Sequence, residues 1–177
     1  MRTTRRTFVS LVAAGVVSGC LGDGMSVSSS FGDDEEIPVE HTCDGEEVSP
    51  PLDITEVPEE AETLAVIVDD PDAPGGTFVH WLLWNVPADV GNIPGGVASE
   101  PTVGGLGGAR QGTNDADKIG YAGPCPPEGD GQHTYRFFVH AVDRELDVEG
   151  GATREELESA LDGSTVATGR LEGTYER

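Results

Sequence analysis

Lysine is almost missing from this 177-residue chain: Lys118 stands alone, and ten basic residues in all face 33 acidic ones, a formal charge of −23. A surface so poor in cations repels phosphate backbones, which excludes nucleic acid as a partner. Long apolar runs are missing too. The N-terminal stretch Phe8–Val17 falls short of the roughly 20 residues that a membrane-spanning helix needs. Several catalytic patterns are absent. No pair of histidines has the tight spacing of a metal-binding HExxH helix, so no metal or other cofactor is expected. The Gly-rich segment Gly104–Gly108 lacks the Gly-Lys-Ser/Thr of a phosphate loop, and Ser49 sits in a Ser-Pro-Pro turn, not a nucleophile elbow. No internal repeat is evident. Cysteine is scarce, at three residues.

What is present fits one domain with a real core. Leu64–Val68 and Phe78–Val86 are apolar enough to exclude disorder for the middle of the chain. An acidic, lysine-poor surface over such a core reads as adaptation to high salt, where self-repulsion is screened. The first residues read as an address. Arg5-Arg6 opens a twin-arginine pattern, the apolar stretch follows, and Val17-Ser18-Gly19-Cys20 is similar to the box cleaved before a lipid-modified cysteine. Residues 1–19 are therefore expected to be a lipoprotein signal and Cys20 the anchor on the outer face of the cytoplasmic membrane. Cleavage leaves seven basic residues against 33 acidic ones, a net of −26. Residues 20–36, rich in Gly, Ser, Asp and Glu, are expected to be a flexible tether, and 37–177 the domain. Outside the cell Cys43 and Cys125 form an even pair, which leaves open a disulfide or two independent buried thiols.

From Ile37 onward, short β-rich runs alternate with Pro/Gly turns, the pattern of a mainly β, antiparallel two-sheet sandwich with one or two short helices. Strands are expected at Thr63–Asp69, Phe78–Val86, His133–Val142 and Ala167–Tyr175. The first is a continuous β-rich run, as in a strand buried on both faces. Strict alternation would put Phe78, His80, Leu82 and Trp84 on one face and Val79, Trp81, Leu83 and Asn85 on the other. His133, Tyr135 and Phe137 share a face, and His140 lies opposite. Thr153-Arg154-Glu155-Glu156 is a capping box, with Leu157 and Leu161 one turn apart behind it and Gly163 as the stop.

Three segments could carry chemistry. Asp69-Asp70-Pro71-Asp72-Ala73-Pro74 ends a strand in carboxylates on a turn stiffened by prolines. His80 follows among apolar residues. Gly120–Pro127 holds consecutive prolines that cannot extend a sheet, so it forms a rigid wall, and His133 and Tyr135 emerge just after it. Together with Gly108-Ala109-Arg110-Gln111-Gly112-Thr113-Asn114-Asp115, His80-Trp81 and Thr42-Cys43-Asp44-Gly45-Glu46, these segments resemble the signatures of the phosphatidylethanolamine-binding (Raf-kinase-inhibitor-like) family, in its compact bacterial and archaeal branch. The resemblance spans roughly residues 37–177.

The resemblance implies two antiparallel sheets with a small pocket for phosphate-like or carboxylate anions, the phosphoethanolamine head group included. It implies a pocket lined by Asp70, His80, Tyr121, Pro126, His133 and Tyr135, with Asp72 shaping the turn. His and Tyr can donate to anion oxygens, and binding should fade as the histidines lose protons near pH ~6.5, their unperturbed value. Eukaryotic members carry a further C-terminal helix over the pocket, and the resemblance implies a pocket without that gate here. His41 and His140 read as structural. Two other functions stand beside this one: a hydrolytic or metal-dependent enzyme using the Asp/His cluster, and an extracellular peptidase or kinase inhibitor acting by protein contact. Nothing in the sequence identifies a protein partner.

Overall fold

The computed structural model describes residues 24–177, so the expected export signal over 1–19 and the expected anchor at Cys20 lie outside the described residues. In chain order the strands are β1 (Ser26–Ser28), β2 (Glu35–Glu36), β3 (Leu52–Thr55), β4 (Thr63–Asp70) and β5 (Phe78–Pro87). They continue with β6 (Asn92–Ile93), β7 (Thr102–Val103), β8 (Ala109–Gln111), β9 (His133–Val142), helix α1 (Arg154–Leu161) and β10 (Thr165–Tyr175). A main sheet runs β2-β10-β9-β4-β5-β8-β7, and a smaller one runs β1-β3-β6. The expected antiparallel sandwich stands, with one local exception: β2 runs parallel to β10.

β4 and β5 lie inside the main sheet and need apolar side chains on both faces. One face sets Leu64, Val66, Val68, Trp81, Leu83 and Phe137 against Val27, Leu52, Ile54 and Ile93 of the small sheet. The other sets Ala65, Ile67, Leu82 and Trp84 under Leu157 and Leu161 of α1. That is why β4 reads as a continuous apolar run.

α1 begins on its capping box, with the Thr153 amide donating to Glu156 at 2.8 Å and the Glu156 amide returning to Thr153 Oγ1 at 3.4 Å. Gly163, at φ 73°, turns the chain into β10. An ionic knot ties α1 down. Buried Asp69 accepts from Arg136 at 2.7 and 3.0 Å and from Arg154 at 2.8 Å, and Arg154 also donates to Glu158 at 2.6 Å.

The expected tether over 20–36 does not hold across its described part. Met25, Val27 and Phe31 are buried, and β1 pairs with β3 from Ser26 to Ser28. The Phe31 ring meets Phe137 with centroids 5.6 Å apart. Each buried apolar side chain contributes about 1.5–3 kcal/mol, so three of them suffice to hold a short edge segment. The domain therefore takes in residues that the sequence assigned to a linker, while their polar neighbours face solvent. Gly169 makes room for this edge: a Cβ there would meet the Met25 carbonyl oxygen at 2.7 Å.

Candidate functional site

Asp70 ends β4, and the turn after it is braced from both sides. Asp70 Oδ1 accepts from the Asp72 amide at 2.8 Å, and Asp72 Oδ2 accepts from the Thr134 amide at 2.9 Å. Asp72 thus clamps the proline turn to the start of β9.

His80 is aimed by a bulge. The β4–β5 register pairs Val68 with Trp81 and then Asp69 with Val79, which leaves His80 as the extra residue. The alternation expected from sequence breaks there. Val79 joins Leu82 and Trp84 on the α1 side, while Phe78 and His80 turn toward Tyr135, whose ring is 5.2 Å from that of His80. At the far end Asn85, at φ 58°, also leaves its expected face and bonds both ways with Leu146.

The segment 120–127 forms the opposite wall. The Ala122 amide donates to the His80 carbonyl at 2.9 Å, and His80 Nδ1 donates to the Ala122 carbonyl at 2.8 Å. Gly123 passes so close to the loop at 41–47 that a Cβ would sit 2.7 Å from the His41 carbonyl oxygen, and its amide donates to Glu47 at 3.1 Å. Cys43 and Cys125 are joined by a disulfide, Cα atoms 5.4 Å apart, which resolves the choice the sequence left open.

Between these walls lies a cavity of about 260 Å³ lined by Asp70, Phe78, His80, Pro126, His133, Tyr135 and Glu47. A broader groove of about 770 Å³ along 147–160 is shallow and acidic, with neither histidine nor tyrosine in it, and offers no such chemistry. Of the residues expected at the pocket, Asp70, His80, Pro126, His133 and Tyr135 come together there. Two do not. Tyr121 lies behind the wall, its ring against Trp81 and its hydroxyl donating to the His41 carbonyl at 2.9 Å. Asp72 spends its carboxylate on the Thr134 amide and stays outside the lining. Glu47 and Phe78 were not expected. Phe78 shares its strand with His80, but Glu47 follows a Cys-Asp-Gly turn with no signal of its own, and it reaches the wall through a left-handed backbone, φ 56°. His41 and His140 lie elsewhere, bonded to Ser30 and Val48 and to Thr168.

The two pocket histidines titrate in opposite directions. For His80 burial dominates and lowers the pKa, although the Ala122 carbonyl and the charges of Asp70, Asp115 and Asp69 oppose it. For His133 burial is again the largest single effect. It is outweighed by Asp70, which accepts from Nδ1 at 2.8 Å, and by Asp130, which accepts from Nε2 at 3.3 Å, so the pKa rises. The single titration expected near pH 6.5 is therefore replaced by two, one below and one above it. Burial, then Asp70 and Asp72, push the Tyr135 hydroxyl upward, so it keeps its proton. That hydroxyl is buried and has no hydrogen-bond partner among the described residues, although the Cys125 backbone offsets part of the rise.

Residues 27–176 match the sequence model of the phosphatidylethanolamine-binding protein family. The UPF0098 protein of Pyrococcus abyssi is 50% identical over 163 residues, 90% of this chain and 91% of that relative. The UPF0098 protein of Pyrococcus horikoshii is 46% identical over 164 residues, 90% of this chain and 82% of that relative. Among solved structures, a phosphatidylethanolamine-binding protein homologue from Chlamydia trachomatis superposes with a TM-score of 0.79 at 39% identity, over 88% of this chain and 99% of that one. The E. coli protein YBCL, described as a member of the mammalian family, gives 0.79 at 32%, over 86% and 98%.

Proposed function

The chain belongs to the phosphatidylethanolamine-binding protein family, and we propose that it is an exported, lipid-anchored member whose cavity binds small phosphate-like or carboxylate anions, phosphoethanolamine head groups among them. One observation carries the reading. A buried Tyr135 hydroxyl without a partner among the described residues, His133 held between the Asp70 and Asp130 carboxylates, and His80 belong to one cavity of about 260 Å³ and its rim. A buried polar group left unbonded costs about 1–3 kcal/mol, and a bound oxygen would recover it. In this reading the site binds without catalysing a reaction and requires no cofactor. Export and anchoring rest on Arg5-Arg6 and on Cys20 with the small residues before it.

Calorimetry at molar salt with inorganic phosphate and phosphoethanolamine tests the binding. His80→Ala should weaken it by about 1–3 kcal/mol, the worth of a hydrogen bond to a charged group, and His133→Ala should weaken it by removing the ring that Asp70 and Asp130 hold in the lining. His140→Ala, on the other face of β9, should leave it unchanged. Equal affinity in wild type and both pocket variants would reject the site.

A further inference from the structure

The hydrogen-bond inventory of the cavity says which anions it can hold. His133 has two ring donors, and both are spent, on Asp70 and Asp130. His80 must donate through Nδ1, because its partner there, the Ala122 carbonyl, can only accept. The neutral ring then presents Nε2 as a bare lone pair, with no partner among the described residues. Glu47, whose Oε1 accepts the Gly123 amide, adds a carboxylate to the lining, and Asp70 adds another whose oxygens are already in use by the Asp72 amide and the His133 ring. Against these acceptors, the Tyr135 hydroxyl is a donor still to be used.

We infer that the cavity selects oxyanions that bring a proton of their own, the hydrogen phosphate ion above all, over donor-free oxyanions of the same shape, sulfate and phosphodiesters. The inference rests on the anion-binding reading and narrows it. A P–OH donates to His80 Nε2 while a neighbouring oxygen accepts from Tyr135. A sulfate or diester oxygen in the same place sets lone pair against lone pair, and leaves Nε2 facing it unmatched. Proton-bearing and donor-free tetrahedral anions thus differ by one buried hydrogen bond, the kind of difference sites reject most strongly.

The state of His80 decides the matter, and its surroundings are acidic on every side. Asp69 and Asp70 on β4 and Asp115 in the loop after β8 favour its proton, while burial disfavours it and prevails. Glu47 from the 41–47 loop and His133 and Tyr135 from β9 complete the ionisable lining. Protonation of His80 turns Nε2 into a donor, so acid should relax the selection.

Calorimetry on the wild-type protein at pH 7.5 and molar sodium chloride, with inorganic phosphate and sulfate as probes, tests this directly. Phosphate should bind about tenfold or more tightly than sulfate, the ratio expected when one buried acceptor goes unmatched. At pH 5.0 sulfate should gain and the ratio should shrink. Glu47→Gln, which keeps an acceptor for Gly123 and adds an amide donor, should shrink it at pH 7.5. Equal binding of phosphate and sulfate at pH 7.5 would overturn the selection and leave the anion site standing. Binding of neither phosphate, methyl phosphate nor phosphoethanolamine would overturn the anion site itself.

Discussion

His80 and His133 sit in one cavity, yet their environments push them apart, and the stability of the fold should record it. His133 is favoured in its charged form, so its contribution is complete below about pH 6.5, its value in the unfolded chain, and is lost as pH rises through the raised folded value. His80 is favoured neutral. Its contribution is complete above about pH 6.5 and is lost as pH falls through the lowered folded value. Thermal melts at constant ionic strength should show both. His133→Gln should flatten the decline in Tm on the alkaline side, and His80→Gln the decline on the acid side. Parallel Tm profiles for wild type and both variants would contradict the assignment. Sequence showed that these two histidines and Asp70 are candidates. It could not show that Tyr121 is spent on the His41 carbonyl, because that bond joins residues 80 positions apart.

Among the elements, β5 and α1 teach the most. The extent of β5 was legible from its β-branched and aromatic run, but its facing was not. A bulge adds one residue and reverses alternation beyond it, and what selects the bulge is pairing with β4, not the local sequence. The capping box of α1 was legible because all its partners lie within four residues. Its docking was not, because Asp69 recruits Arg136 and Arg154 from 67 and 85 positions away. That knot makes a prediction. Asp69 is fully buried while both arginines are partly solvated, so Asp69→Asn should cost about 3 kcal/mol, the lower end for breaking a buried ion pair. Urea denaturation can measure the loss. A change below about 0.5 kcal/mol, the size of an ordinary surface substitution, would mean that α1 is held by Leu157 and Leu161 alone.

The whole molecule joins an acidic composition and a two-sheet core to a proposed N-terminal export signal. If Cys20 carries the lipid, Cys20→Ser should move the protein from the membrane fraction to the medium, as immunoblots of fractionated cells would show. Unchanged membrane association would remove the anchor from the proposal. The chain by itself determined the sandwich, the four long strands, the capped helix and the family, since these follow from side-chain periodicity, turn chemistry and short motifs. It also put five of the pocket residues on the page. Only the tertiary structure decided that Met25, Val27 and Phe31 belong to the core, that Cys43 and Cys125 are bridged across 82 positions, and that Glu47 lines the cavity. Tertiary structure likewise turned Tyr121 into a support for the wall, and it supplied the Thr134 amide as the partner of Asp72, whose place in shaping the turn the resemblance already implied. The physical reason is the same in each case. A lone apolar residue in a polar stretch, or a polar side chain with several potential partners, takes its role from whatever lies opposite it, and distant strands supply that only once they have paired.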